Sequence, residues 1–184
     1  TDDIELFLQS LTQIEKSALG SAAGFGSSLN LDRTISQKWL GASHLHINVI
    51  NAQMSRGKSE LIFIQNLSHL ARSLEKQACD VCLMAIPALG FIKLSDTIAT
   101  GSSLMPHKKN PDLFELIRGY ASEVYAKEYQ ISTTMMHLPS GYHRDFQLLK
   151  KPVFEAIFLI KHMIEAMQEG LQNIEPIALN SATN

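Results

Sequence analysis

Apolar residues recur at three- and four-residue steps along most of this chain, the spacing that places them on one face of an α-helix. The first such stretch follows Asp2 and Asp3, whose acidic side chains suit a helix N-terminus, and it extends to Ala18. A segment rich in glycine and serine then predicts a loop up to about Asn30. A short helix is predicted next, over Arg33–Leu40.

The longest helical pattern covers about Ser55–Ile86. Its apolar residues form one stripe: Leu61, Ile64, Leu67, Ala71, Leu74, Ala78, Val81 and Ala85. Such a helix is about 45 Å long, which is too long for one compact domain of this size to bury. Phe63, Leu70 and Met84 lie off the stripe, so a second face is also partly apolar. We therefore expect a bundle helix whose other faces meet partner chains.

The rest of the chain predicts two further helices and few strands. A loop over about Pro87–Asn110 precedes a helix that starts at Pro111 and runs to about Met136. Prolines and a glycine break the pattern before a last helix that begins after Pro152. No short turn joins two alternating segments, so no hairpin is evident. The sequence predicts an all-α fold, with residues 1–184 forming a single helical-bundle domain.

The composition is that of a folded globular protein: 45% of the 184 residues are apolar and 18% are charged. Lysine and arginine number 16, aspartate and glutamate 18, so the net charge of −2 offers no bulk field to attract nucleic acid or an anionic membrane. No apolar run reaches the roughly 18 residues that span a bilayer, and the acidic start is unlike a secretory signal. We expect a cytoplasmic protein with neither nucleic acid nor membrane as a partner.

Cys79 and Cys82 form a Cys-x-x-Cys pattern in the middle of the predicted long helix. A zinc site of this kind needs a second pair of ligands at a suitable spacing, and none accompanies it. We therefore expect both cysteines in the buried core and no metal site.

The most unusual segment runs from Gly101 to Pro111, with the sequence Gly-Ser-Ser-Leu-Met-Pro-His-Lys-Lys-Asn-Pro. It places two hydroxyls, a histidine, two lysines and an amide on a loop that leads into a helix. Backbone N–H groups at a helix N-terminus favour an anion, and Lys108 and Lys109 add positive charge. Two interpretations follow: a solvated basic turn that caps the helix, or a loop that closes on an anionic substrate.

Gly101–Asn110, followed by Glu115, resembles the signature Gly-Ser-Ser-x-Met-Pro-x-Lys-x-Asn of the fumarase/aspartase superfamily. Within it, the continuation Lys108–Asp112 and Glu115–Gly119 resembles the argininosuccinate lyases. His107 stands where glutamine is common there, and a histidine is also seen in adenylosuccinate lyases.

Other segments resemble the same family. In Leu138–Lys150, the resemblance implies that Tyr142, Gln147 and Lys150 contact the substrate. Upstream, Leu19–Gly24 resembles its glycine-rich segment. Asn48–Arg56 resembles the family stretch that leads into the long helix, and Arg56 is a further candidate for substrate binding. The sequence departs from the family there, because Ser55 and Gly57 stand where acidic residues are usual.

The resemblance implies a β-elimination that needs no cofactor and no metal, from argininosuccinate to arginine and fumarate. It implies Ser102 as general base, Lys108 and Asn110 as donors to the developing negative charge, and Glu115 as an orienting carboxylate. It also implies substrate contacts from Ser103 and Met105.

A second histidine segment of the family, and its N-terminal domain, would lie upstream of everything in this chain. The resemblance therefore implies the central to C-terminal portion of a longer lyase, inactive by itself, whose complete form is a homotetramer with active sites shared between subunits. The open alternatives are adenylosuccinate lyase or another fumarate-producing lyase, and a non-catalytic relative of the crystallin kind.

Overall fold

The computed structural model describes residues 2–101 and 109–177. Six α-helices carry most of these residues: α1 (Asp2–Ile14), α2 (Arg33–Leu40), α3 (Val49–Met54), α4 (Lys58–Met84), α5 (Asp112–Thr134) and α6 (Lys150–Gln172). Two 3-10 helices lie at Ala22–Gly24 and Arg144–Leu149. The predicted all-α class is confirmed.

Three pairs of very short strands accompany the helices in the described ranges. They are β1 (Lys16–Ser17) parallel to β2 (His44–Leu45), β3 (Ile92–Leu94) antiparallel to β6 (Ile174–Pro176), and β4 (Thr100–Gly101) antiparallel to β5 (Lys109–Asn110). Three of these strands lie in the segment that the sequence predicts as loop, and β1 lies where the first helix was expected to continue. Strands of two or three residues are too short to show the alternation that identifies a strand in sequence.

The chain divides into two compact units. The first comprises Thr1–Leu67 and Lys127–Glu155, and the second Ser68–Ala126 and Ala156–Asn184. Both contain residues of α4, α5 and α6. One helical-bundle domain over residues 1–184 stays a prediction.

Each unit has its own buried apolar residues. In the first these include Ala52, Ile64, Leu67, Ile131 and Leu149. In the second they include Ala71, Leu74, Ala78 and Val81 of α4, Phe114, Ile117, Ala121 and Val124 of α5, and Ala156, Ile160, Met163 and Met167 of α6. The predicted stripe of α4 is thus confirmed over its central residues.

The start of the long helix differs from its prediction. The pattern predicts a beginning at Ser55, but the chain turns there, between α3 and α4. Gly57 has a φ of +79°, and a Cβ on it would lie 2.7 Å from the Met135 sulfur. A positive φ at Gly57 ends the run, so Val49–Met54 forms a separate helix, which the Asn48 side chain caps by accepting from two backbone N–H groups.

α2 forms as the sequence predicts. The Asp32 side chain accepts from the Thr34 N–H, and Gly41 ends the helix with a φ of 65°. By contrast, α6 begins at Lys150, before Pro152, and not after it. A proline is tolerated there because the first helical N–H groups have no partner within the helix.

Candidate functional site

The family signature is described only at its flanks. Ser102, Ser103, Met105 and Lys108 lie outside the described residues. On either side of them, β4 pairs with β5 in a register that places Thr100 opposite Asn110.

Side chains reinforce this flanking ladder. The Thr100 hydroxyl donates to an oxygen of Asp112, in the first turn of α5. The Lys109 ammonium lies 2.5 Å from Asp96 Oδ1. The hydrogen bond and the positive charge of Lys109 lower the pKa of Asp96. Both strands are therefore tied to neighbouring segments as well as to each other.

The turn that carries Asp96 is itself anchored. The hydroxyls of Ser95 and Thr97 donate to Asn173 Oδ1 over 3.2 and 3.0 Å. The same asparagine donates through its Nδ2 to two oxygens of Glu169, at the end of α6. Asn173 thus fixes the residues on either side of Asp96, and the sequence holds no signal for this contact because the partners are 76 to 78 positions apart.

Asn110 and Glu115, the described members of the predicted catalytic set, lie in β5 and in the first turn of α5. Asn110 is half-buried, and Glu115 is exposed. Arg118 donates to Glu115 across 3.5 Å within the helix. An exposed pair at this spacing is weak. Because Glu115 is exposed and only weakly paired, its carboxylate is accessible to other groups.

Two predicted binding residues from distant parts of the sequence meet in the first unit. Arg56 occupies the turn between α3 and α4, and Tyr142 follows the Pro139–Gly141 turn. The guanidinium carbon of Arg56 lies 4.6 Å from the ring centre of Tyr142 and 4.9 Å from that of Phe146. These are cation–π distances, which suit a guanidinium on aromatic faces.

Gln147 and Lys150 complete the predicted binding set. Gln147 lies in the 3-10 helix, and Lys150 is the first residue of α6. Both side chains are exposed, and neither forms a hydrogen bond or ion pair with another residue in the described ranges. Their polar groups are therefore available to a ligand.

A cavity of about 210 Å³ lies beside Arg56. Gln53, Lys58 and Ser140 are its other polar lining residues, and Met135 and Phe146 are among its apolar ones. Arg56 and Lys58 have no carboxylate partner in the part of the chain that the structure describes. Two unpaired cations beside apolar surface suit a ligand with an anionic group on an apolar stem.

Sequence reasoning missed Gln53, Lys58 and Phe146. The signal that could have suggested them is nearness along the sequence: Gln53 and Lys58 lie close to Arg56, and Phe146 lies close to Tyr142. The predicted residues fall in different units: Asn110 and Glu115 in the second, and Arg56, Tyr142, Gln147 and Lys150 in the first.

The expectation of buried cysteines is wrong. Cys79 is exposed and Cys82 is half-buried, because each stands one position beyond a buried residue of the α4 stripe. Burial is the main cause that raises the pKa of the Cys82 thiol, which disfavours its thiolate. Residues 2–101 and 109–177 contain no group of three or more His, Cys, Asp or Glu side chains arranged to hold a metal ion. Nor is any helix in these ranges long and apolar enough to cross a membrane.

Known structures share this architecture. An EDDS lyase variant with bound fumarate superposes with a TM-score of 0.80, at 21% identity, over 95% of this chain and 34% of that one. The class II fumarase from Schistosoma mansoni superposes with a TM-score of 0.80, at 17% identity, over 95% of this chain and 42% of that one. The fold is therefore the helical bundle of these lyases.

Sequence comparisons agree with the fold. The argininosuccinate lyase of Thermotoga neapolitana is 40% identical over 174 residues, which are 95% of this chain and 44% of the relative. The argininosuccinate lyase of Bacteroides fragilis is 44% identical over 165 residues, which are 89% of this chain and 37% of the relative. The chain thus spans about two fifths of the length of these curated relatives. A family model described as a lyase matches residues 1–126, and the chain belongs to the lyase family.

Proposed function

We propose that the complete protein containing this chain is an argininosuccinate lyase of arginine biosynthesis. The observation that carries the proposal is the 44% identity to a relative of that name over 89% of the chain. Relatives at this similarity favour argininosuccinate as the substrate over adenylosuccinate. The signature residues Ser102, Lys108 and Asn110 are all present, which favours an enzyme over a non-catalytic relative of the crystallin kind.

The reaction is a β-elimination. A base removes a proton from the carbon next to a carboxylate, the C–N bond at the adjacent carbon breaks, and the C–H electrons become the double bond of fumarate. The leaving nitrogen takes a proton and departs in arginine. The difficult step builds extra negative charge on the carboxylate, so it requires hydrogen-bond donors and positive charge at those oxygens.

We assign Ser102 as the base, and Lys108 and Asn110 as donors to the carboxylate. A serine hydroxyl needs a lowered pKa for this role, and a neighbouring lysine supplies the required charge. Glu115 orients a neighbouring group. The accessible Glu115 carboxylate and the anchored strand of Asn110 support these roles.

Substrate binding is assigned to the remaining residues: Ser103, Met105, Arg56, Tyr142, Gln147 and Lys150. The unpaired cations at the cavity beside Arg56, and the free polar groups of Gln147 and Lys150, support an anionic substrate such as argininosuccinate.

We further propose a cytoplasmic homotetramer with shared active sites, in which the 184 residues alone are inactive. Large apolar side chains that are exposed on α6 support association: Phe154 is 70% exposed and Phe158 62%. A monomer rarely leaves such a surface uncovered. Leu83 and Met84, at the end of α4, are also exposed.

The test measures fumarate by its ultraviolet absorbance. The complete protein should release fumarate from argininosuccinate and not from adenylosuccinate, and light scattering should show a tetramer. The 184-residue chain should release none alone, and should recover activity when a separately expressed N-terminal portion is added. Turnover of adenylosuccinate instead would refute the assignment, and turnover by the short chain alone would refute its inactivity.

A further inference from the structure

The side chain of Gln53 joins three segments of the first unit. Gln53 lies in α3, and its amide Nε2 donates to the Gly141 carbonyl over 2.7 Å, across 88 positions of sequence. Its stem packs on Gly24, where an added Cβ would lie 2.4 Å from the Gln53 Cβ. The absence of a side chain at Gly24 therefore makes room for Gln53, and this contact sets the direction of the glutamine side chain.

The acceptor of this hydrogen bond is the carbonyl of Gly141, a residue with no side chain to restrict its backbone. Gly141 has a φ of +132°, a conformation that side-chain-bearing residues rarely adopt. Its carbonyl belongs to the peptide plane that also contains the Tyr142 N–H. A hydrogen bond to this carbonyl restricts the orientation of that peptide plane. It therefore also restricts the direction of the Cα–Cβ bond of Tyr142.

Arg56 acts on the same tyrosine from the other end. Arg56 lies three residues after Gln53, and its guanidinium carbon lies 4.6 Å from the centre of the Tyr142 ring. Gln53 thus constrains the backbone at Tyr142 and Arg56 constrains its ring. Tyr142 is 57% exposed, so burial restrains it little and these two contacts restrict its orientation.

We propose that Gln53 is a positioning residue for Tyr142, acting through the Gly141 carbonyl. This inference rests on the proposed function, because it requires Tyr142 to contact the substrate. A residue held in its productive orientation before binding spares the enzyme the cost of ordering it during the reaction. The loss of Gln53 should therefore weaken the use of substrate without touching the groups that perform the chemistry.

The test is a double-mutant cycle in the complete protein, with kcat and KM measured for argininosuccinate. The variants are Gln53→Met, which keeps the length and loses the donor, Tyr142→Phe, and the two combined. Gln130→Met is the matched control, since Gln130 is exposed on α5 of the same unit. If Gln53→Met does not fold, Gln53→Glu is used in its place, since it also lacks the donor.

Gln53→Met should lower kcat/KM about tenfold in the unmodified protein, chiefly through KM, but by less than about twofold when Tyr142 is already phenylalanine. Gln130→Met should leave both parameters unchanged. Equal losses in the two backgrounds, or no loss in either, would overturn the positioning role while the proposed function stands. Absence of turnover in the unmodified protein would instead overturn the proposed function, and this inference with it.

Discussion

The two groups of candidate residues are held in place in different ways. In the first unit, Arg56 and Tyr142 meet through side-chain contacts, and the nearby Gln53–Gly141 hydrogen bond spans 88 positions of sequence. In the second, Asn110 lies in a backbone ladder, and the Thr100–Asp112 hydrogen bond spans only 12 positions. One group depends on tertiary packing, and the other mostly on local backbone structure.

This difference matches the roles proposed for the two groups. Asn110 is assigned to charge stabilisation, which requires donors at defined positions, and a backbone ladder restricts their movement. Tyr142 is assigned to substrate binding, and contacts between side chains and backbone from distant segments hold its exposed side chain in place for a ligand. Substitutions of the candidate residues in the second unit should therefore change kcat, and those of the candidate residues in the first should change KM.

The largest expected effect is that of Ser102→Ala in the complete protein. Removal of the proposed base should lower kcat by about a thousandfold or more and leave KM nearly unchanged. Ser122→Ala, at an exposed site on α5, is the control and should retain activity. Near-normal turnover by Ser102→Ala, measured as fumarate absorbance, would show that the base is assigned wrongly.

Next is Gly57→Ala, at the turn that presents Arg56. An alanine at a φ of +79°, with its Cβ against Met135, should lower the free energy of unfolding by about 2 kcal/mol. Gly119→Ala is the matched control: it lies in α5, its Cβ would meet nothing within 4 Å, and it should raise stability by about 0.5–1 kcal/mol. Denaturant unfolding measures both, and a change of the same sign in both would contradict the account of this turn.

A smaller effect is expected from Arg56→Lys, in the first unit. Lysine keeps the charge but lacks the planar guanidinium that lies over two rings, so KM should rise about tenfold with a smaller change in kcat. Arg72→Lys is the control, because Arg72 lies over Tyr125 in the second unit, 5.2 Å from its ring centre, and should leave KM unchanged. A drop in kcat alone after Arg56→Lys would assign Arg56 to the chemical step instead.

The smallest effect concerns the ion pair of Asp96 with Lys109. Because Lys109 lowers the pKa of Asp96 in the folded protein, the pair stabilises the fold above the ordinary Asp pKa of 3.8. That contribution is lost as the pH falls through the lowered value. Lys109→Met should raise the Asp96 pKa, as followed by the NMR shift of its carboxyl carbon. An unchanged titration would mean that the pair does not form in solution.

Several tertiary features had no counterpart in the sequence pattern. The β3–β6 pair joins residues about eighty positions apart, and strands of three residues carry no periodicity of their own. The exposed position of Cys79, by contrast, could have been read from the pattern, because Cys79 stands one position beyond Ala78 of the predicted α4 stripe.

The sequence by itself determined the class of the fold, the positions of its long helices to within a few residues at their ends, and most of the candidate residues. Helix periodicity, the Asp32 cap and the glycine at position 41 act within a few residues, so they can be read from neighbouring positions. The contacts of Arg56 with Tyr142 and of Gln53 with Gly141 were decided only by the tertiary structure. They join segments distant along the chain, and such contacts depend on how whole helices pack and on which backbone positions lack a side chain.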